Sequence, residues 1–371
     1  MSEPEKLTPR STPDLLGHAE AEQTLLESYN SGRMHHAWLM TGPRGIGKAT
    51  LAYRFARFLL KYGRPGGDDQ GAGLFGEELA TTEPESLYVD PQDPVFRRIA
   101  VGAHGDVMTI EREFDEKKNR FKGVIGVDRV RGVGSFLGKT SAEGGWRVVI
   151  IDAADEMNRN SANAVLKVLE EPPEQAVLLL LAHNPGRLLP TIRSRCRTLH
   201  LNPLSDDILI DLLGKHAPDS SREDAQGLAK LAEGSFGRAL SLYEEGGLEL
   251  HSELLKLLST LPQLDVEALH KLGDKMARAG ADDAFRTMGD LLCWWLGRLI
   301  SQGARGKTSG LGLSDSEDAL MIRVLQSADL TQLMDVWEKI STNFDQAQSG
   351  NLDRKQALLT SFLALEGAMK R

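Results

Sequence analysis

His35-His36-Ala37-Trp38-Leu39-Met40-Thr41-Gly42-Pro43-Arg44-Gly45-Ile46-Gly47-Lys48-Ala49-Thr50 is the stretch on which the fold turns. Residues 36–40 are a short apolar run, and after Lys48 the apolar positions Leu51, Phe55, Phe58 and Leu59 recur at helical spacing, so strand, loop and helix follow in order. Residues 42–48 match G-x-x-x-x-G-K, the phosphate-binding loop. Gly42, Gly45 and Gly47 let backbone N–H groups turn inward around phosphate oxygens, the helix adds its positive end, and Lys48 reaches the terminal phosphates. The plain alternative is a glycine-rich turn with no ligand; the strand before and the helix after argue against it.

Outward from this loop, residues 148–152 (Val-Val-Ile-Ile-Asp) form an unbroken β-branched run, as expected of a strand buried on both faces. The next helix aligns Ala162, Val165, Leu166 and Leu169 and must stop at Pro172-Pro173. Runs at 177–181 and 197–201 complete the visible strands. The pattern predicts an α/β P-loop domain, a parallel sheet flanked by helices. Residues 63–85, rich in Gly, Asp and Pro, read as a surface insertion, 111–122 as a solvated hairpin or loop, and 124–133 as a strand end leading into a helix. The sheet signal stops near Pro203, which bounds a first domain at 1–203 with a disordered tail over 1–13. A compact helical segment follows at 204–248, and 249–371 is all helix. There Phe285, Met288, Leu291, Leu292, Trp295, Leu296 and Leu299 share one face, most simply a core and alternatively a subunit contact.

Composition narrows the class. The 371 residues, 41% hydrophobic, suffice for two or three domains. No apolar run approaches the roughly 20 residues that span a bilayer, and the first residues lack a signal core, so a cytoplasmic protein with no membrane contact is expected. Two distant cysteines, Cys196 and Cys293, support neither a disulfide framework nor a cysteine zinc site, and read as small buried hydrophobes. A net charge of −9 and a pI near 5.6 exclude coating of nucleic acid through the overall field. Any DNA contact is local or made by partners.

The catalytic parts are damaged. Ala49 stands where a Ser or Thr hydroxyl would bind magnesium, and Thr50 points to another side of the helix. Asp152, at the end of its strand, fits the second magnesium-directed carboxylate. The water-polarising glutamate expected next to it is Ala153, and Glu156 comes three residues too late. Gly42, Gly45, Gly47, Lys48, Thr50 and Asp152 are the candidate nucleotide site, with ATP and magnesium open as cofactors.

Residues 35–43, 163–173 (Asn-Ala-Val-Leu-Lys-Val-Leu-Glu-Glu-Pro-Pro) and 193–196 (Arg-Ser-Arg-Cys) together resemble the AAA+ subunits of the bacterial DNA polymerase III clamp loader, and the delta-prime type more than the gamma/tau motors. The resemblance is closest between Leu16 and Pro203 and implies an AAA+ base, a helical lid at 204–248, and a collar at 249–371 through which five subunits form an open ring. It implies an accessory subunit whose own ATPase activity is absent or weak, with gamma/tau and delta as partners and the sliding clamp and primed DNA reached through the complex during DNA replication. Arg195 of the Ser-Arg-Cys motif would be an arginine finger, catalytic in trans at a neighbour's ATP; otherwise Arg193, Arg195 and Arg197 are a solvated basic cluster.

Several positions depart from the family. The four zinc cysteines often found after the P-loop helix are missing between Gly63 and Asp106, so no zinc is expected. Gly237 stands where the lid of motor subunits carries a phosphate-sensing arginine, with Arg238 shifted by one. The polar sensor after the third strand is either His183 or Asn184. The alternative function is an active gamma/tau-like ATPase that tolerates Ala49 and Ala153. A branch-migration helicase fits poorly, because it needs a complete site of its own.

Overall fold

The computed structural model describes residues 8–63, 84–115, 120–141, 145–307, 309–350 and 352–369. The chain divides into two compact units, one running to Ile208 and taking in Gly234–Gly237, the other comprising Leu209–Glu233 and the residues from Arg238 onward.

The first unit is built on strands β1 (Ala37–Thr41), β2 (Val107–Glu111), β3 (Phe114–Asp115), β4 (Arg120–Phe121), β5 (Arg147–Asp152), β6 (Ala176–Ala182) and β7 (Arg197–His200). Five of them form a sheet in the order β2-β5-β6-β1-β7. All of its pairings are parallel. Side chains alternate across a strand, so each apolar run supplies both faces. Trp38, Met40, Val148, Ile150 and Leu179 join Leu25 of α1 (Ala19–Asn30), Phe55 and Phe58 of α2 (Lys48–Tyr62), and Phe96 of α3 (Pro94–Ala100). Leu39, Val149, Ile151 and Leu180 face the other way. There they meet Val130 of α4 (Val127–Val130), Val133 of α5 (Gly132–Leu137), Val165 and Leu169 of α6 (Arg159–Glu170), and Ile192 of α7 (Pro190–Arg193). The α/β reading holds.

The structure adds a strand and ties residues 10–13 to α2. β2 is an edge strand beside β5, with only Ile110 fully buried, so its sequence carries no long apolar run. The charged segment at 111–122 contains the β3–β4 antiparallel pair. Within the segment expected to be disordered over 1–13, Thr12 donates through both its amide and its hydroxyl to the Thr8 carbonyl. Arg57 donates to the carbonyls of Arg10 and Thr12, and Arg54 to that of Pro13. Residues 1–7, and the 64–83 part of the glycine-rich insertion, lie outside the described residues.

The remaining helices are α8 (Asp206–His216), α9 (Arg222–Ala232), α10 (Phe236–Glu244), α11 (Gly247–Leu258), α12 (Val266–Met276), α13 (Asp282–Ala304), α14 (Asp315–Ser327), α15 (Leu330–Gln348) and α16 (Arg354–Met369). Ser221 and Asp224 form a reciprocal capping box on α9, and Asp265, Ser314 and Asp329 cap α12, α14 and α15. The apolar face of α13 is core within the chain: all seven of its residues named from the sequence are buried. Phe285 stacks on Phe344 of α15 at 4.8 Å, and a Cβ on Gly289 would lie 2.4 Å from the Phe344 ring, which is why a glycine interrupts this helix.

Candidate functional site

The loop between β1 and α2 is shaped from both sides. Gly42, Gly45 and Gly47 all have positive φ (145°, 76° and 111°), conformations that a side chain resists. A Cβ on Gly42 would also lie 2.4 Å from the Leu201 carbonyl oxygen. Every carbonyl from Thr41 to Gly47 accepts a hydrogen bond. Leu201 N–H donates to Thr41 at 2.8 Å and Leu51 N–H to Gly47 at 3.0 Å. The Lys48 ammonium donates to Gly42 at 2.7 Å and Pro43 at 2.5 Å. Ser235 Oγ donates to Arg44 at 2.8 Å, Gly237 N–H to Gly45 at 2.9 Å, and His18 Nε2–H to Ile46 at 2.6 Å. By contrast, the N–H groups of residues 44–47 meet no acceptor among the described residues. Carbonyls engaged by donors and N–H groups left open are the arrangement that an anion-binding loop requires.

Lys48 is 3% exposed, and burial pulls its pKa down to about 8, partly offset by the carboxylates of Asp152 and Asp155. Asp152 closes β5. Burial pushes its carboxyl up to about 6 against the opposing pull of Lys48. Lysine and acid thus share one electrostatic field. The metal side fits less well. Ala49 packs against the core with no hydroxyl to offer, and Thr50 makes no hydrogen bond to Lys48 or Asp152 among the described residues. Among those residues, no cluster of three or more His, Cys, Asp or Glu could hold a metal ion.

Ala153 is 2% exposed, a buried methyl where the water-polarising carboxylate would be needed. Glu156 is drawn aside by Arg112, 2.8 Å away. Asp155, given no role by the sequence, accepts the N–H groups of His183 (3.1 Å) and Asn184 (2.8 Å), and so ties the end of β6 to the turn after β5. The two sensor candidates differ. Asn184 uses its carboxamide oxygen to cap its own turn at Gly186 N–H. His183 is lowered to about 4 by burial and then by Lys48, and its buried Nδ1 has no partner among the described residues. Of the two sensor candidates, His183 is the one whose proton affinity Lys48 depresses.

Arg195 does not join these residues. Its guanidinium pairs with Glu170 at 2.8 Å and donates to the Thr191 carbonyl at 3.0 Å, with its side chain about one-third exposed. Arg197 lies over the Trp38 ring. Gly237 contacts the loop, whereas Arg238 places its guanidinium 5.7 Å from the Trp294 ring centroid. Sequence reasoning missed His18 and Ser235, which lie 28 and 191 residues from the carbonyls they hold, so no local spacing announces them.

The profile of a family described as "DNA polymerase III, delta subunit" matches residues 63–205. The DNA polymerase III subunit delta-prime of Pseudomonas aeruginosa is 32% identical over 79% of this chain and 80% of that protein. The chain belongs to the DNA polymerase III delta-prime family. The delta-prime subunit of Escherichia coli is 30% identical to this family member over 64% of this chain and 63% of that one. The tau subunit of the same organism is 31% identical over 65% of this chain but 33% of its own length. A solved gamma subunit-related protein from Thermotoga maritima covers 94% of this chain and 98% of its own, at 21% identity and a TM-score of 0.38. No helix among the described residues of this delta-prime family member is long and apolar enough to cross a membrane.

Proposed function

We propose that this chain is a cytoplasmic clamp-loader subunit of DNA polymerase III that does not hydrolyse ATP itself. It assembles with gamma/tau and delta subunits and lends Arg195 to a neighbour's ATP, and hydrolysis in the neighbours opens and releases the sliding clamp on primed DNA. The observation that carries this reading is the buried methyl of Ala153, with Glu156 held by Arg112: the position directly after Asp152 offers no carboxylate to polarise an attacking water. Ala49 removes a magnesium ligand as well. Lys48, the open N–H groups and Asp152 support retained binding of phosphate, and they are what favours the second reading, a gamma/tau-like ATPase. Residues 42, 45, 47, 48 and 152 would hold the nucleotide.

The partly exposed, ion-paired guanidinium of Arg195 suits a finger that acts outside its own chain, since a guanidinium offsets charge developing on a γ-phosphate. The test is co-purification with gamma/tau and delta subunits, followed by ATP turnover of the isolated chain and of the complex. The proposal expects a stable complex that hydrolyses ATP and an isolated chain that does not; turnover by the isolated chain at the rate of a motor subunit selects the second reading.

A further inference from the structure

Three of the donors that hold the loop carbonyls lie outside the phosphate motif: His18, Ser235 and Gly237. His18 is 4% exposed, and burial lowers its pKa, so the neutral ring donates through Nε2–H to Ile46. Ser235 is 6% exposed and reaches the Arg44 carbonyl from a segment almost 200 positions later in the chain. Gly237 is backbone against backbone. A Cβ built on it would lie 3.1 Å from the Gly45 Cα, and one built on Gly45 would lie 2.4 Å from Ser235 Oγ. The two glycines therefore permit an approach that side chains would prevent.

A trans peptide plane whose carbonyl is held by a donor has its N–H held on the opposite side, so each of these bonds orients one N–H of the loop before any ligand arrives. Such preorganisation strengthens binding by lowering the ordering cost. We propose that His18, Ser235 and Gly237 are positioning residues of the phosphate loop, and that through them this chain holds the diphosphate of ADP in a site that does not turn ATP over. The inference rests on the non-hydrolysing reading above, and Ala49 makes magnesium-free ADP the appropriate probe.

The experiment uses the full chain and compares native protein with Ser235→Ala, Ser235→Thr and Gly237→Ala, titrating magnesium-free ADP by calorimetry and recording a melting temperature for each. Loss of one hydrogen bond corresponds to roughly a 2- to 13-fold effect. Native protein is expected to bind ADP, Ser235→Ala to bind it several-fold more weakly at a melting temperature within about 4 °C of native, Ser235→Thr to recover the native affinity, and Gly237→Ala to weaken binding. The proposal is overturned if native protein binds no ADP, if Ser235→Ala and Gly237→Ala both match native affinity, or if affinity follows melting temperature across the set without rescue by threonine. ATP turnover in the same samples reports separately on the non-hydrolysing reading: turnover by native protein overturns that reading and the claim of a site without turnover, while the positioning of ADP is decided by the affinities alone.

Discussion

The guanidinium of Arg195, just beyond α7, faces the carboxylate of Glu170, the last residue of α6, at 2.8 Å. Side-chain exposures of 35% and 51% leave this pair in high dielectric, where such contacts contribute about 0–1 kcal/mol. Glu170→Gln and Arg195→Ala are each expected to change the unfolding free energy in urea by less than about 1 kcal/mol. A loss beyond about 2 kcal/mol would make Arg195 a structural residue rather than an available one.

Asp152 gives a pH-dependent prediction. Its folded carboxyl titrates at about 6 against a usual 3.8, so the folded state binds the extra proton between those values and stability falls as pH rises through them. Asp152→Asn removes the titration. The variant should gain up to about 3 kcal/mol over native protein at pH 7, and the gain should vanish below about pH 4. Thermal melts at pH 4 and 7 decide it; a gain of equal size at both values would show that charge burial is not the cause.

The buried pair Arg147–Asp106 lies at the entry to β5, 3.2 Å apart with side-chain exposures of 9% and 1%. Arg147 also donates to the Thr140 carbonyl, and Ser141 Oγ donates to Asp106. Removing one partner strands a buried charge, so Asp106→Ala is expected to cost about 3–5 kcal/mol in urea denaturation. A cost under about 1 kcal/mol would mean that Arg147 finds water or another acceptor.

Both cysteines should be inert in the native protein. Burial pushes the Cys196 and Cys293 thiols up to about 12, far from the thiolate form that reacts. Iodoacetamide at pH 8 should label neither within the time that labels both in urea, as read by mass spectrometry. Cys293 is only partly buried, unlike the buried residue expected from the sequence, and its rapid native labelling would contradict the raised thiol pKa.

What could be read from the sequence followed contiguity. β1, the loop and α2 were legible because one motif covers them, and β5 and β6 because strands buried on both faces are written as unbroken apolar runs. β2 was not legible, because an edge strand with one buried face needs only Ile110 deep in the core. Lys48 and Asp152 could be paired in advance because each ends its own motif. The groups that shape the cradle could not: His18, Ser235 and Asp155 act through backbone groups far from them in sequence, and no side-chain pattern records which carbonyl a hydroxyl will reach. Arg54 and Arg57 were likewise unreadable as anchors of the segment at 10–13, since their partners are main-chain oxygens.

On the proposed function, this chain contributes to hydrolysis only in its neighbour's site. The direct measurement is steady-state ATP turnover by the complex reconstituted with gamma/tau and delta, comparing native chain with Arg195→Ala at matched assembly by gel filtration. Removal of a finger is expected to lower the turnover of the site it serves by about 10³-fold or more, which leaves the complex with the rate of its remaining sites. Assembly intact and turnover reduced is the predicted result; assembly intact and turnover unchanged would contradict it.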